Sequence, residues 1–262
     1  MRRKDREITE RSDIELRILT LPAVRKYLTT EEQIFYINEF MIYEQPQTYA
    51  HVTMVSRLCD VLLEAVITHR PELLHDVPGC ATIIDTWKNE KELRSFIYNA
   101  AMSHDIGKNI IPIIVSNNFR KLTDSEFVLI RMHPELAAKI LDISPEFQKY
   151  LDVALGHHKW YNGKGGYPVS FDNVSSPYRL LIDILTICDC ADAATDYFGR
   201  NYRNSKKFRQ VLSEFDADAG VRYNPDLVKL IHDVPSLYDK MSEIVDANRI
   251  NSYYDIYKLY FR

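Results

Sequence analysis

Through most of this chain apolar residues recur three and four positions apart, the period of an α-helix with one side turned to a core, and glycine is scarce, at 8 of 262 residues. The pattern predicts an all-α fold. A helical leader runs from about Ile14 to Tyr43, and Pro46 breaks it. The next helix is expected to begin near Thr48 and to carry HVTMVSRLCDVLLEAVI. Residues 69 to 91, with Pro71, Pro78 and Gly79, read as a connection holding a short helix. In ELRSFIYNAAMSHD the face Leu93, Ile97, Ala100, His104 points the histidine inward. Thr123 and Glu126 offer a capping box, and Pro134 suits the first turn of a helix with Leu136 and Ile140. In YLDVALGHHKW, Leu151, Leu155 and His158 share a face. After the NGKGGYP loop, Ile182, Thr186 and Asp189 form another inward stripe, with Asp192 and Asp196 following at helical spacing.

A chain of 262 residues suits one large core with terminal extensions. We read 1–45 as a helical N-terminal extension, 46–235 as the domain, and 236–262 as a C-terminal helical segment packing on the core or on a second subunit. The net charge of −4 argues against a polymeric nucleic-acid partner, so a phosphate ligand would need local positive charge. Cys59, Cys80, Cys188 and Cys190 have no disulfide-framework or zinc spacing, which fits reduced thiols in a cytoplasmic protein. The opening MRRKDREITERSD lacks an apolar continuation, and Pro112 interrupts the longest apolar run, so neither a signal peptide nor a membrane span is expected.

The polar residues on the inward faces change the picture most. A carboxylate on an apolar stripe needs a cation or a hydrogen-bond partner, because burying it alone costs several kcal/mol or more. Five histidines, His51, His104, His133, His157 and His158, join Asp105 and Asp189 as inward-looking candidates. Imidazole and carboxylate donors suit iron, manganese, nickel, cobalt or zinc, and seven of them exceed one ion's needs. Two ions sharing a carboxylate would use them all, with Asp105 as the candidate bridge. His69, His75 and His232, among prolines and charges, are read as solvated, and Asp192 as a group that orients a ligand histidine.

The ordered runs SHDIGK, HPELAAKIL, GHHKWYNGKGGYP and ICDCADA resemble the successive motifs of the HD superfamily of metal-dependent phosphohydrolases, in its HD-GYP branch, over roughly residues 48 to 233. The resemblance implies an HD-domain helical bundle with two divalent transition metals, iron or manganese foremost. It puts His51, His104, Asp105 and Asp189 on one ion, and lets Asp105 bridge to a second held by His133, His157 and His158. It makes Asp105 and Lys108 catalytic, with Lys108 at the scissile phosphate, and Arg200 and Arg203 clamps for phosphate oxygens. Gly166, Tyr167 and Pro168 are the GYP element, where Gly166 lets backbone approach a ligand and Tyr167 stacks on a base. The implied reaction opens a cyclic dinucleotide such as cyclic di-GMP to a linear product, through a hydroxide bridging the ions. The sequence departs from the pattern at Lys159, where a glutamate is usual, in an extra glycine before Tyr167, and at Gln47, where some members carry a glutamate for a third ion. Action on another nucleotide or a phosphomonoester, a di-iron oxygenase, and an inactive nucleotide sensor stay open as alternatives. So do a homodimer and membership of a larger signalling protein.

Overall fold

The computed structural model describes residues 41, 45–111, 122–142, 145–198, 205–247 and 249–260; the expected leader helix, Arg200 and Arg203 lie outside them. Among the described residues there is no strand, only two isolated bridges, Lys159 with Gly166 and Ala219 with Tyr223.

The helices are α1 (Pro46–His69), α2 (Ile83–Lys88), α3 (Glu90–Ser103), α4 (Asp124–Ile130), α5 (His133–Leu141), α6 (Pro145–Gln148), α7 (Leu151–Gly156), α8 (Arg179–Thr195), α9 (Phe208–Ala217), α10 (Pro225–Asp233), α11 (Pro235–Ser242) and α12 (Arg249–Tyr260). 3₁₀ turns cover Pro71–Leu74 and Ile106–Ile110, and a π turn, Glu243–Ala247, precedes α12. The first helix starts at Pro46 itself, whose fixed φ and missing N–H suit a helix's first turn. Thr123 and Glu126 close the capping box on α4.

Two helices form the centre. α1 and α8 are apolar on nearly every side, as a helix enclosed by others must be. α1 packs against α3, α8, α11 and α12, while α5 lies on the Ile106–Ile110 turn and on α7. Leu58, Leu62 and Leu63 of α1 and Leu181, Ile184 and Leu185 of α8 are fully buried, each contributing about 1.5–3 kcal/mol relative to exposure.

One predicted face is wrong. α7 stops at Gly156, and its buried side is Val153 and Ala154 leading to His157, whereas Leu151, Leu155 and His158 are only partly covered. In so short a helix the end geometry, and not the stripe extrapolated through it, sets where the two histidines point. No described helix is long and apolar enough to cross a membrane.

Candidate metal centre

Three histidines reach the interior by the same local device. His104 follows the last turn of α3, His133 follows α4 and opens α5, and His157 follows α7. Carbonyls in a helix's last turn lack an intrahelical donor. In each case the imidazole just beyond supplies one: Nδ1–H of His104 donates to Ala101 O at 2.6 Å, that of His133 to Ile130 O at 2.6 Å, and that of His157 to Ala154 O at 2.7 Å. A carbonyl can only accept, so the proton sits on Nδ1 and Nε2 keeps a lone pair. His51, midway along the first turns of α1, uses a carboxylate instead, with Nδ1 2.6 Å from Asp192 Oδ2.

These rings converge on Asp105. Its Oδ1 lies 3.1 Å from His133 Nε2 and 4.0 Å from His157 Nε2, and its Oδ2 lies 3.5 Å from His51 Nε2 and 3.7 Å from His104 Nε2. One carboxylate thus faces two groups of donors. The ligand atoms of His133, His157 and His158 lie within 4.8 Å of one another, as do those of His51, His104 and Asp189.

The donor set fits a cation on physical grounds. His133 Nε2 and His157 Nε2 are 3.0 Å apart, and both already have their proton on Nδ1, so two lone pairs and the Asp105 oxygen face each other. Such a contact is repulsive unless positive charge lies among the three. His104 Nε2 and Asp105 Oδ1 are buried without a hydrogen-bond partner, a cost of about 1–3 kcal/mol or more apiece for a protein that offered them no ion.

Electrostatics prepare the groups as ligands. Burial pushes His104 down, His133 and His157 well below the usual imidazole range, and His158 to about 4, so all four are neutral near pH 7. Burial works to raise Asp105 and Asp189, but the Lys108 ammonium beside the first and the His51 hydrogen bond to the second outweigh it, and both stay well below the carboxylate range. His51 is the exception. Burial lowers it, yet hydrogen bonds to Asp189 and Asp192 raise it to about 9. Its Nε2 lies 2.9 Å from Asp189 Oδ1, and an ion held by the two would compete with a proton there.

A protein-family model described as "HD domain" matches residues 58–227. This chain belongs to the HD domain family. The match begins after His51. Three curated relatives align with about half of this chain: "Cyclic di-GMP phosphodiesterase PA4108" of Pseudomonas aeruginosa, 34% identical over 47% of this chain and 30% of that protein; a "Cyclic di-GMP phosphodiesterase" of Thermotoga maritima, 32% identical over 50% of this chain and 34% of that protein; and "Cyclic di-GMP phosphodiesterase response regulator RpfG" of Xanthomonas campestris pv. campestris, 31% identical over 53% of this chain and 36% of that protein. The aligned part therefore spans about a third of each relative's length.

Beside the centre of this HD domain opens a cleft of about 540 Å³, lined by His157, His158, Tyr167, Trp160, Arg131 and Arg222 among others. Tyr167 has one face already stacked on His158, with ring centroids 4.5 Å apart, so it buttresses that histidine and offers only its remaining surface to a ligand. Gly166 lines the same cleft, and the structure adds a second reason for a glycine there. Its φ is +79°, and a Cβ there would lie 2.0 Å from His158 O, so a glycine is needed to close the loop onto the histidine's own backbone. Lys108 reaches Asp105 Oδ2 at 2.5 Å from the Ile106–Ile110 turn. His69, His75 and His232 are exposed.

The sequence reading missed Arg131 and Arg222. Arg131 stands two residues before His133, a signal that was available. Arg222 arrives from a distant loop, where Tyr161 N–H donates to its carbonyl at 3.0 Å, and nothing local announces it.

Proposed function

We propose that this HD domain is a metal-dependent phosphodiesterase that opens a cyclic dinucleotide, such as cyclic di-GMP, to its linear form. The observation that carries the reading is the ring of buried, mutually facing acceptors around Asp105, which only cations make favourable. The alignment with three cyclic di-GMP phosphodiesterases supports the substrate class. One ion would be held by His51, His104 and Asp189, the other by His133, His157 and His158, with Asp105 shared between them. Imidazole and carboxylate donors favour iron or manganese, with nickel, cobalt or zinc as competitors. When bound, such ions lower the pKa of water and draw charge from phosphoryl oxygens.

The chain's own groups do the rest. Lys108, tethered at Asp105, is within reach of a phosphate oxygen presented at the centre, and Arg131 and Arg222 at the cleft mouth supply the local positive charge that a net-acidic protein needs to attract a dinucleotide. Arg200 and Arg203 would add to them. Trp160 and the part of Tyr167 that His158 and Arg131 leave open suit a base. The four cysteines are free thiols, in keeping with a reducing cytoplasm, and a chain that matches about a third of each relative's length would suit one unit of a larger signalling protein.

Elemental analysis after reconstitution with iron or manganese should plateau near two ions per chain, and a panel of cyclic dinucleotides should yield linear dinucleotide. In Lys108→Ala, turnover should fall roughly 100-fold, the scale of a lost charge-stabilising donor, with both ions retained. A plateau at zero, or no hydrolysis of any cyclic dinucleotide by the metal-loaded protein, would overturn the reading.

A further inference from the structure

The C-terminal helix contributes something that packing alone does not require. Arg249, at the start of α12 and beyond the residues matched by the family, has a side chain with 0% exposure. Its Nη2 lies 2.8 Å from Asp192 Oδ1, donates to Thr195 Oγ1 at 2.8 Å and to Asp192 O at 3.3 Å, while Nε donates to Val245 O at 3.2 Å. Nη1 lies 3.6 Å from Asp196 Oδ1, and Asp196 Oδ2 accepts from Tyr253 Oη at 3.0 Å. The guanidinium is thus fixed by its bonds to Thr195, Asp192 O and Val245 O, and its charge stands as an ion-pair partner against one oxygen of the carboxylate whose other oxygen holds His51 Nδ1 at 2.6 Å.

We propose that Arg249 is a positioning residue of the metal centre: by aligning Asp192 on His51 it makes the docking of α12 a determinant of the affinity for the ion at His51, His104 and Asp189. Whereas His104, His133 and His157 use carbonyls of their own helical turns, His51 has its Nδ1 hydrogen-bonded to a side chain from another helix. A backbone carbonyl three residues away is fixed by the helix, whereas a carboxylate on a rotatable side chain needs something to fix it. Arg249 does so as a permanent cation that is itself anchored on the end of α8 through Asp192 O and Thr195. Lysine could supply the charge but not the fork.

This inference rests on the two-ion reading, and the test separates the two. Mn²⁺ is titrated into the metal-stripped full chain, and the Nδ1–H proton resonance of His51 is followed by NMR without metal. Arg249→Met should weaken one of the two Mn²⁺ sites by roughly 10–100-fold, the usual cost of losing a partner behind a ligand, and leave the other site near its original affinity. Arg249→Lys should fall between the two proteins. Asp192→Ala should weaken the same site, and the double variant should be no weaker than Asp192→Ala alone, since the two residues act as one unit. The His51 resonance should be lost or shifted in Arg249→Met and unchanged in Lys240→Met. Equal weakening of both sites, additive losses, or an unchanged titration and resonance would overturn the proposal. If Arg249→Met does not fold, Arg249→Lys decides by the same readings. A wild-type chain that takes up no Mn²⁺ defeats the ion reading instead, and the metal-free resonance then decides Arg249 on its own.

Discussion

Asp183 shows what a buried carboxylate does in α8 when its hydrogen-bond partner is a neutral amide. Burial raises its pKa to about 7, against the opposing pull of a hydrogen bond from Asn224 Nδ2 at 2.9 Å and of the nearby Arg179 charge. An unfolded aspartate releases its proton near pH 4, so between about 4 and 7 the folded protein binds more protons than the unfolded one, and stability falls as pH rises through that window. Asp183→Asn mimics the protonated form and removes this loss. The variant should match wild type near pH 4 and gain on it up to about pH 7, then hold a constant advantage of at most ~4 kcal/mol, since one pKa unit is worth 1.36 kcal/mol. Denaturant unfolding of both proteins across pH 4–8 checks it; a difference independent of pH would mean that Asp183 is ionised in the fold. Six positions further along the same helix, Asp189 is held low because His51 donates to it. Partner, and not burial, separates the two aspartates.

At the scale of elements, the recurring feature is a helix that ends at a histidine. α3, α4 and α7 all stop where an imidazole can cap the last-turn carbonyl, and the same hydrogen bond aims Nε2 at Asp105. The aim works only if the elements approach closely. Gly107, in the Ile106–Ile110 turn, is pressed on the start of α5: a Cβ would lie 2.0 Å from His133 O and 2.6 Å from Ala137 N. These are backbone atoms of a helix and cannot yield singly. Gly107→Ala should therefore push α5 outward, at a cost of about 1–3 kcal/mol from overpacking, and should lower the affinity of the ion at His133, His157 and His158 more than that of its neighbour. Thermal melts with a two-site metal titration would check this, and a variant with wild-type stability and both sites intact would show that the contact relaxes cheaply.

For the whole molecule, the proposed two-ion centre would be a stabilising element as well as a site. Seven polar side chains from α1, α5, α8 and the turns after α3 and α7 are drawn into one mostly buried cluster, and ions bound there favour the folded state alone. At a hundredfold excess of metal over Kd the gain is about 2.7 kcal/mol per site, so chelation of both ions should lower Tm by roughly 10–20 °C, and re-addition of manganese should restore it. Calorimetry before and after stripping measures the shift, and an unchanged Tm would mean that the cluster is not stabilised by metal. Much of this was legible in advance. The apolar period gave the order of the helices, the stripe Leu93, Ile97, Ala100, His104 is buried as read, and Ile182, Thr186 and Asp189 form one inward face because a long regular helix carries its phase reliably. Short elements do not: α7 ends too soon for its stripe to mean anything, and the true orientation of His157 and His158 depends on a turn. By itself the sequence determined which elements form and which donors turn inward, since both follow from contacts within a few residues. Only the tertiary structure decided that Arg249 stands behind His51, that Arg222 faces the cleft and that Tyr167 buttresses His158, because those pairings join residues far apart in the chain or fix a loop's path, and no local period records them.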